Sequence, residues 1–224
     1  YICNALCYQT NKFGDVKPYM TGFPKTSMHK NISRLMENNM TVVVVDESPE
    51  GRVVTNILSP GTYVEEFKNT DSNYIICLYA DFEDEINAFG IAVADLSTGS
   101  LSIQEIVHEN SLRCLEDLYS AYSSYNPRET VIYTHKYTEP QLKLLKNHLS
   151  LNSKKVVYRE CLPEFRNPNY QNEVLLKVYS NCGMLTPIEN LDIANYPIAN
   201  TGLIGLLQYC YEHNESLLQN IDKP

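Results

Sequence analysis

The sequence predicts an α/β protein in two parts, a helix on a small sheet followed by a larger layered sheet with an antiparallel edge. Three observations carry this. A β-branched run, Thr41–Val45, directly follows a helical pattern whose apolar positions are Met28, Ile32, Leu35 and Met36. Three strand-like segments, Tyr74–Ala80, Ala88–Ala94 and Ser100–Val107, then come in quick succession, with a hairpin connection at Asp95–Gly99. Between the two lies Tyr63–Asn73, polar, acidic and without periodicity. The reading is therefore a first domain over residues 1–66, a linker at 67–73 and a second domain over 74–224.

Taken in order, residues 1–10 read as the tail of a helix running into a strand, and Asn11–Pro18 as a loop turning at Gly14-Asp15. Pro18 and Pro24 bracket Gly22 in a bent connection. Ser27 is the expected N-cap of the first helix, and Asn38-Asn39 its end. Thr41–Val45 has the composition of a strand covered on both faces. Ser48-Pro49 and Gly51 reverse the chain, Arg52–Leu58 returns as a strand, and Ser59–Thr62 turns it again.

In the second part a helix is expected over Ser111–Ser123, with Leu112, Leu115, Leu118, Tyr119 and Tyr122 on one face, broken by Asn126-Pro127. Thr130–Thr134 reads as a buried strand, Glu139–Leu149 as a helix aligned on Leu142, Leu145 and Leu149, and Lys155–Tyr158 as a further strand. Residues 159–172, with Pro163 and Pro168, read as irregular. Helices at Asn172–Ser180 and Thr201–Glu212, the latter facing inward through Leu203, Ile204, Leu207 and Tyr211, complete the domain. Three meandering strands followed by helix, strand, helix, strand is a topology found in ribonuclease-H-like folds among others.

Composition narrows the function. The chain has 224 residues, 43% of them hydrophobic, and a net charge of -9, which argues against a protein basic over its whole surface for nucleic acid. The charge is uneven: residues 1–34 carry Lys12, Lys17, Lys25, Lys30 and Arg34 against Asp15 alone, or +4, so the remainder carries -13. A polyanion would therefore be met in the first domain. No run approaches the roughly 18 apolar residues of a membrane span, so no membrane is expected as a partner. No signal peptide opens the chain, and a start at Tyr1 with a stop at Pro224 reads as a fragment. The seven cysteines are scattered with no C-x-x-C pair, and the five histidines are equally dispersed. That pattern indicates a reducing compartment, buried thiols and no metal site.

Catalytic constellations are thin. Asp81 and Asp95 both end strands, as metal-binding carboxylates of nucleases do, but the strand TVIYTH closes on Thr134 and His135 where another acid would be needed. Asp95, followed by Ser97, Thr98 and Gly99, reads better as the cap of its own turn. There is no G-x-S-x-G and no G-x-x-x-x-G-K-[ST], so neither a nucleophile elbow nor a phosphate loop is present. No catalytic residue and no cofactor is assigned to this stretch. The seventeen tyrosines read as half-buried sheet and helix surface.

Four motifs in series give a resemblance. Met20-Thr21-Gly22-Phe23-Pro24 resembles the M-x-G-x-P segment of MutS-type DNA mismatch-repair proteins. The helix Ser27–Glu37, the strand Val42–Glu47 and the turn Leu58-Ser59-Pro60-Gly61-Thr62 follow in that family's order. Asp95-Leu96-Ser97-Thr98-Gly99 is similar to the D-[LI]-S-[TS]-G turn of the family's connector domain, and Gly205-Leu206-Leu207-Gln208-Tyr209 to its G-x-L-L-x-Y helix. The tyrosine-rich wording resembles the mitochondrially encoded MutS homologues of octocorals, which implies a mitochondrial location, with nuclear or cytoplasmic as the alternative.

The resemblance implies the C-terminal part of a mismatch-recognition domain, then a ribonuclease-H-like connector. It implies mismatched double-stranded DNA as partner and a homodimer or MutS-type dimer. It also implies ATP with Mg²⁺ in a full-length, DNA-dependent ATPase. The family's Phe-x-Glu mismatch reader is expected before Tyr1. Lys12, in Thr10-Asn11-Lys12, matches a phosphate-contacting position; Lys17, Lys25 and Arg52 are weaker candidates, and Asn56 stands where the family often has a base. The alternatives are a MutS paralogue whose first domain serves as an interaction surface, and a ribonuclease-H-like nuclease.

Overall fold

The structure, a computed structural model, describes residues 11–13, 16–20, 22–49, 51–64, 73–83, 86–135, 137–151, 155–219 and 221–224, with backbone only for 11–13, 16–20, 82, 83, 86 and 87. The expected helix tail over residues 1–10, with Cys3 and Cys7, and most of the 67–73 linker lie outside the described residues. The chain divides into two compact units, Tyr1–Tyr63 and Val64–Pro224.

The first unit holds two hairpins and one helix. Strands β1 (Asn11–Phe13) and β2 (Val16–Met20) pair antiparallel, Asn11 opposite Met20 and Lys12 opposite Tyr19. The stretch expected as a loop is thus a short hairpin. A 3₁₀ turn, Lys25–Ser27, leads into α1 (Met28–Glu37). Ser27 does not cap it through its side chain; its carbonyl instead accepts from Asn31 Nδ2 at 2.9 Å. Asn39, at φ 57, closes the helix as expected, with the Met40 amide reaching back to the Leu35 carbonyl.

Strands β3 (Val42–Ser48) and β4 (Gly51–Leu58) form a separate two-stranded sheet. Ile32, Leu35 and Met36 of α1 pack with Phe23, Met28, Met40, Val42, Leu58 and Tyr63. This covers only the end of the hairpin distant from its turn. Val43 is 52% exposed and Val54 54%, with Val45 and Val53 close to half. The expectation of a strand buried on both faces is corrected: the apolar run has no second layer among the described residues of this unit, so its outer valines stay in solvent.

The second unit is an α/β/α sandwich. Strands β5 (Tyr74–Glu83), β6 (Ile86–Asp95), β7 (Leu101–His108), β8 (Glu129–His135) and β9 (Lys155–Glu160) lie in the order β7-β6-β5-β8-β9. β5, β6 and β7 meander antiparallel, whereas β8 and β9 run parallel to β5. Alternation along β5 divides the core. Ile76, Leu78 and Ala80 face α2 (Ser111–Tyr125) and α3 (Glu139–His148). Ile75, Cys77 and Tyr79 face α4 (Pro168–Val178) and α6 (Pro197–His213). Between these last two lies the single turn α5 (Pro187–Asn190).

Three helix expectations change. Leu112 is 64% exposed and Tyr119 nearly half, while Cys114, Leu115, Leu118 and Tyr122 are buried; the apolar stripe of α2 is narrower and rotated toward Cys114. α4 begins at Pro168 under an Asn167 cap rather than at Asn172, because proline at the first helical position starts a helix. On α6, Leu203, Ile204 and Leu207 face inward as expected, but Tyr211 is exposed beneath Lys177 Nζ, 5.1 Å from its ring centre. Among the described residues no helix is long and apolar enough to cross a membrane.

Candidate nucleic-acid interface

The basic residues singled out in the sequence fall on four elements of the first unit. Lys12 lies on β1 and Lys17 on β2, so one hairpin carries both; their side chains lie outside the described residues. Lys25 is exposed in the 3₁₀ turn before α1, and His29 and Lys30 are exposed on that helix's first turn. Arg52 sits opposite Glu47 beside the β3–β4 turn, 4.0 Å from its carboxylate, with both side chains about four-fifths exposed. A pair so open to water holds little free energy and leaves the guanidinium available to another anion. The first turn of α1 carries no acidic residue to oppose one.

The second unit shows what its carboxylates do. Asp95 Oδ1 accepts from the amide and hydroxyl of Ser97, the amide at 2.9 Å, and its carbonyl accepts from Thr98 N and Gly99 N. It caps its own turn, as expected. Asp81 lies near the other end of the sheet: Tyr74 of β5 pairs with Asp95, seven residues before Asp81, roughly 23 Å at about 3.3 Å per residue. The two cannot share a metal ion. Asp81 Oδ2 instead accepts from Tyr79 Oη at 2.9 Å and lies 3.6 Å from Arg166 Nη1. Among the described residues no group of three His, Cys, Asp or Glu could hold a metal.

Close backbone contacts, which the sequence reading missed, seat α6 on the sheet. A Cβ on Gly90 of β6 would lie 2.0 Å from the Ile198 carbonyl, and one on Gly202 2.8 Å from that of Gly90. A Cβ on Gly205 would lie 2.9 Å from the Tyr133 ring and 3.0 Å from Cys77 Sγ. One turn on, Tyr209 donates to the fully buried Glu129 at 2.8 Å. The first and last residues of G-L-L-Q-Y thus share one helix face, the glycine admitting the sheet and the tyrosine satisfying a buried carboxylate. Glu105 of β7 accepts from Ile198 N and Ala199 N at 2.7 and 3.1 Å, capping α6 from a distant strand. The sequence signal for Gly90 was a glycine inside an apolar strand; Glu105 gave none.

No family model matches the chain. A mimivirus protein described as a MutS homologue is 26% identical, and the match covers 93% of this chain and 21% of the relative. A Prochlorococcus marinus MutS is 28% identical over 91% of this chain and 22% of its own length. The mitochondrial MutS homologue of the octocoral Sarcophyton glaucum is 25% identical over 91% and 23%. The chain is similar to MutS proteins along about nine-tenths of its length. It spans between a fifth and a quarter of the length of these MutS relatives, and the alignments run through both units. Among solved structures, the fowlpox virus resolvase with Holliday junction DNA covers 62% of this chain and 97% of its own at 16% identity and a TM-score of 0.37. A second fowlpox resolvase structure gives 14% and 0.38.

Proposed function

We propose that this chain is a DNA-reading portion of a MutS-type mismatch-repair protein, the first unit approaching duplex phosphate and the second acting as a connector. The observation that carries the proposal is the MutS similarity across more than nine-tenths of the chain. In this reading residues 1–66 are the C-terminal part of a mismatch-recognition domain. Residues 74–224 are a ribonuclease-H-like connector, a reading supported by three antiparallel strands followed by two parallel ones in the order 3-2-1-4-5. Lys12, Lys17, Lys25 and Arg52 contact the sugar–phosphate backbone, which positions a protein on DNA without reading its sequence. Recognition of a mispair adds the lower cost of unstacking and kinking a weakened step. ATP and Mg²⁺, and the dimer, belong to the whole protein: this chain has no phosphate-binding loop, and none of its residues is assigned to nucleotide. The octocoral relative supports a mitochondrial location.

The test is equilibrium binding of the whole protein to matched and mismatched duplexes across a salt series. Tighter binding to mismatched DNA, with a steep loss of affinity as salt rises, is the expected result. Equal affinity for both duplexes would instead point to the paralogue whose first domain serves as an interaction surface.

A further inference from the structure

The Asp95–Gly99 turn and the segment that follows α6 hold one another. Gly99, at φ +83, presents its carbonyl to the Asp222 amide at 2.8 Å. The Asp222 carbonyl in turn accepts from Tyr179 Oη, just beyond α4, at 2.6 Å. Leu218 and Ile221, 6% and 8% exposed, enter the same apolar cluster as Leu101 and Tyr179. The chain after α6 is therefore closed onto the sheet by the β6–β7 turn on one side and the end of α4 on the other.

The turn's geometry decides whether that contact exists. Asp95 fixes it through Ser97 and through the two amides bonded to its carbonyl, which leaves Gly99 in the left-handed region with its own carbonyl aimed outward. A residue with a side chain is strained in that conformation.

We propose that the Asp95–Gly99 turn is a clasp: its ordered form holds the segment around Asp222, and release of either loosens the other. This role rests on reading the unit as a MutS-type connector. The coupling itself is a property of this unit alone.

Residue-resolved native-state amide exchange of the 224-residue chain tests it. Ser97→Ala removes a hydroxyl bonded to Asp95, at a position outside the segment that follows α6. The clasp predicts that it speeds exchange at Asp222 about tenfold, the equivalent of one hydrogen bond, while the Leu78 and Tyr79 amides of β5 keep their rates. Tyr179→Phe is expected to speed Asp222 and, reciprocally, Gly99. Acceleration at Gly99 with Asp222 unchanged in Ser97→Ala would overturn the coupling. So would acceleration of all amides together, which would mean general loss of stability. Neither outcome bears on whether the protein binds mismatched DNA, so the two proposals fail separately.

Discussion

Gly90 shows how far one missing methyl group determines the second unit. With the Ile198 carbonyl 2.0 Å from the site of a Cβ, Gly90→Ala must push a helix off a strand. It is expected to destabilise this unit by about 3 kcal/mol or more, read as a lowered midpoint in thermal unfolding. Tyr209→Phe leaves the buried Glu129 short of a donor at 2.8 Å and is expected to cost about 1–3 kcal/mol; Tyr211→Phe, at an exposed ring, should be near neutral. The thiols separate by environment. Burial pushes Cys161 up to about 11 and Cys210 up to about 12, so near neutral pH the reactive thiolate is scarce. Half-buried Cys182 should be alkylated before Cys77, Cys114, Cys161 or Cys210, which peptide mapping after brief labelling would show.

At the scale of elements, what was legible depended on whether a segment's partners were implied by the segment itself. β5, β6 and β8 were legible because long apolar runs bounded by turns specify central strands. β1 and β2 were not: three and five residues interrupted by Lys12, Lys17 and Pro18 look like loop, and only their pairing makes them strands. The valines of β3 announced a strand but not its neighbours, so their burial was overestimated. Residues 159–172, with Pro163 and Pro168, read as irregular, whereas each proline begins a helical turn. Glu105 belongs to the same class of long-range facts, lying more than ninety residues from the helix it caps. Glu105→Gln removes the negative charge from the α6 N-terminus and is expected to cost about 1–2 kcal/mol, measured as a shift in the denaturant midpoint without a change in slope.

For the whole molecule, the candidate site reads from the sequence as residue types and motif order, not as a surface. The +4 charge of residues 1–34 pointed to the first unit. The residues that carry it lie on a hairpin, a 3₁₀ turn and a helix. Cations spread in this way are what the proposed phosphate contacts need, each adding a salt-sensitive increment. The second unit's titrations set its alkaline limit. Burial raises Cys161, Cys210, Tyr79, Tyr133 and Tyr179 above their ordinary values. All five are neutral when folded and ionise more readily when unfolded. Their contribution is thus complete below about pH 9 and lost progressively as pH rises through the alkaline range, so the thermal midpoint should fall steadily above pH 9.

The phosphate-contact role is tested most directly by binding of matched and mismatched duplexes to the whole protein and its Lys12→Ala variant across a salt series. The substitution is expected to weaken both duplexes alike and to flatten the log affinity against log salt line by about 0.9, one released counterion. A loss confined to the mismatched duplex, or an unchanged slope, would contradict it.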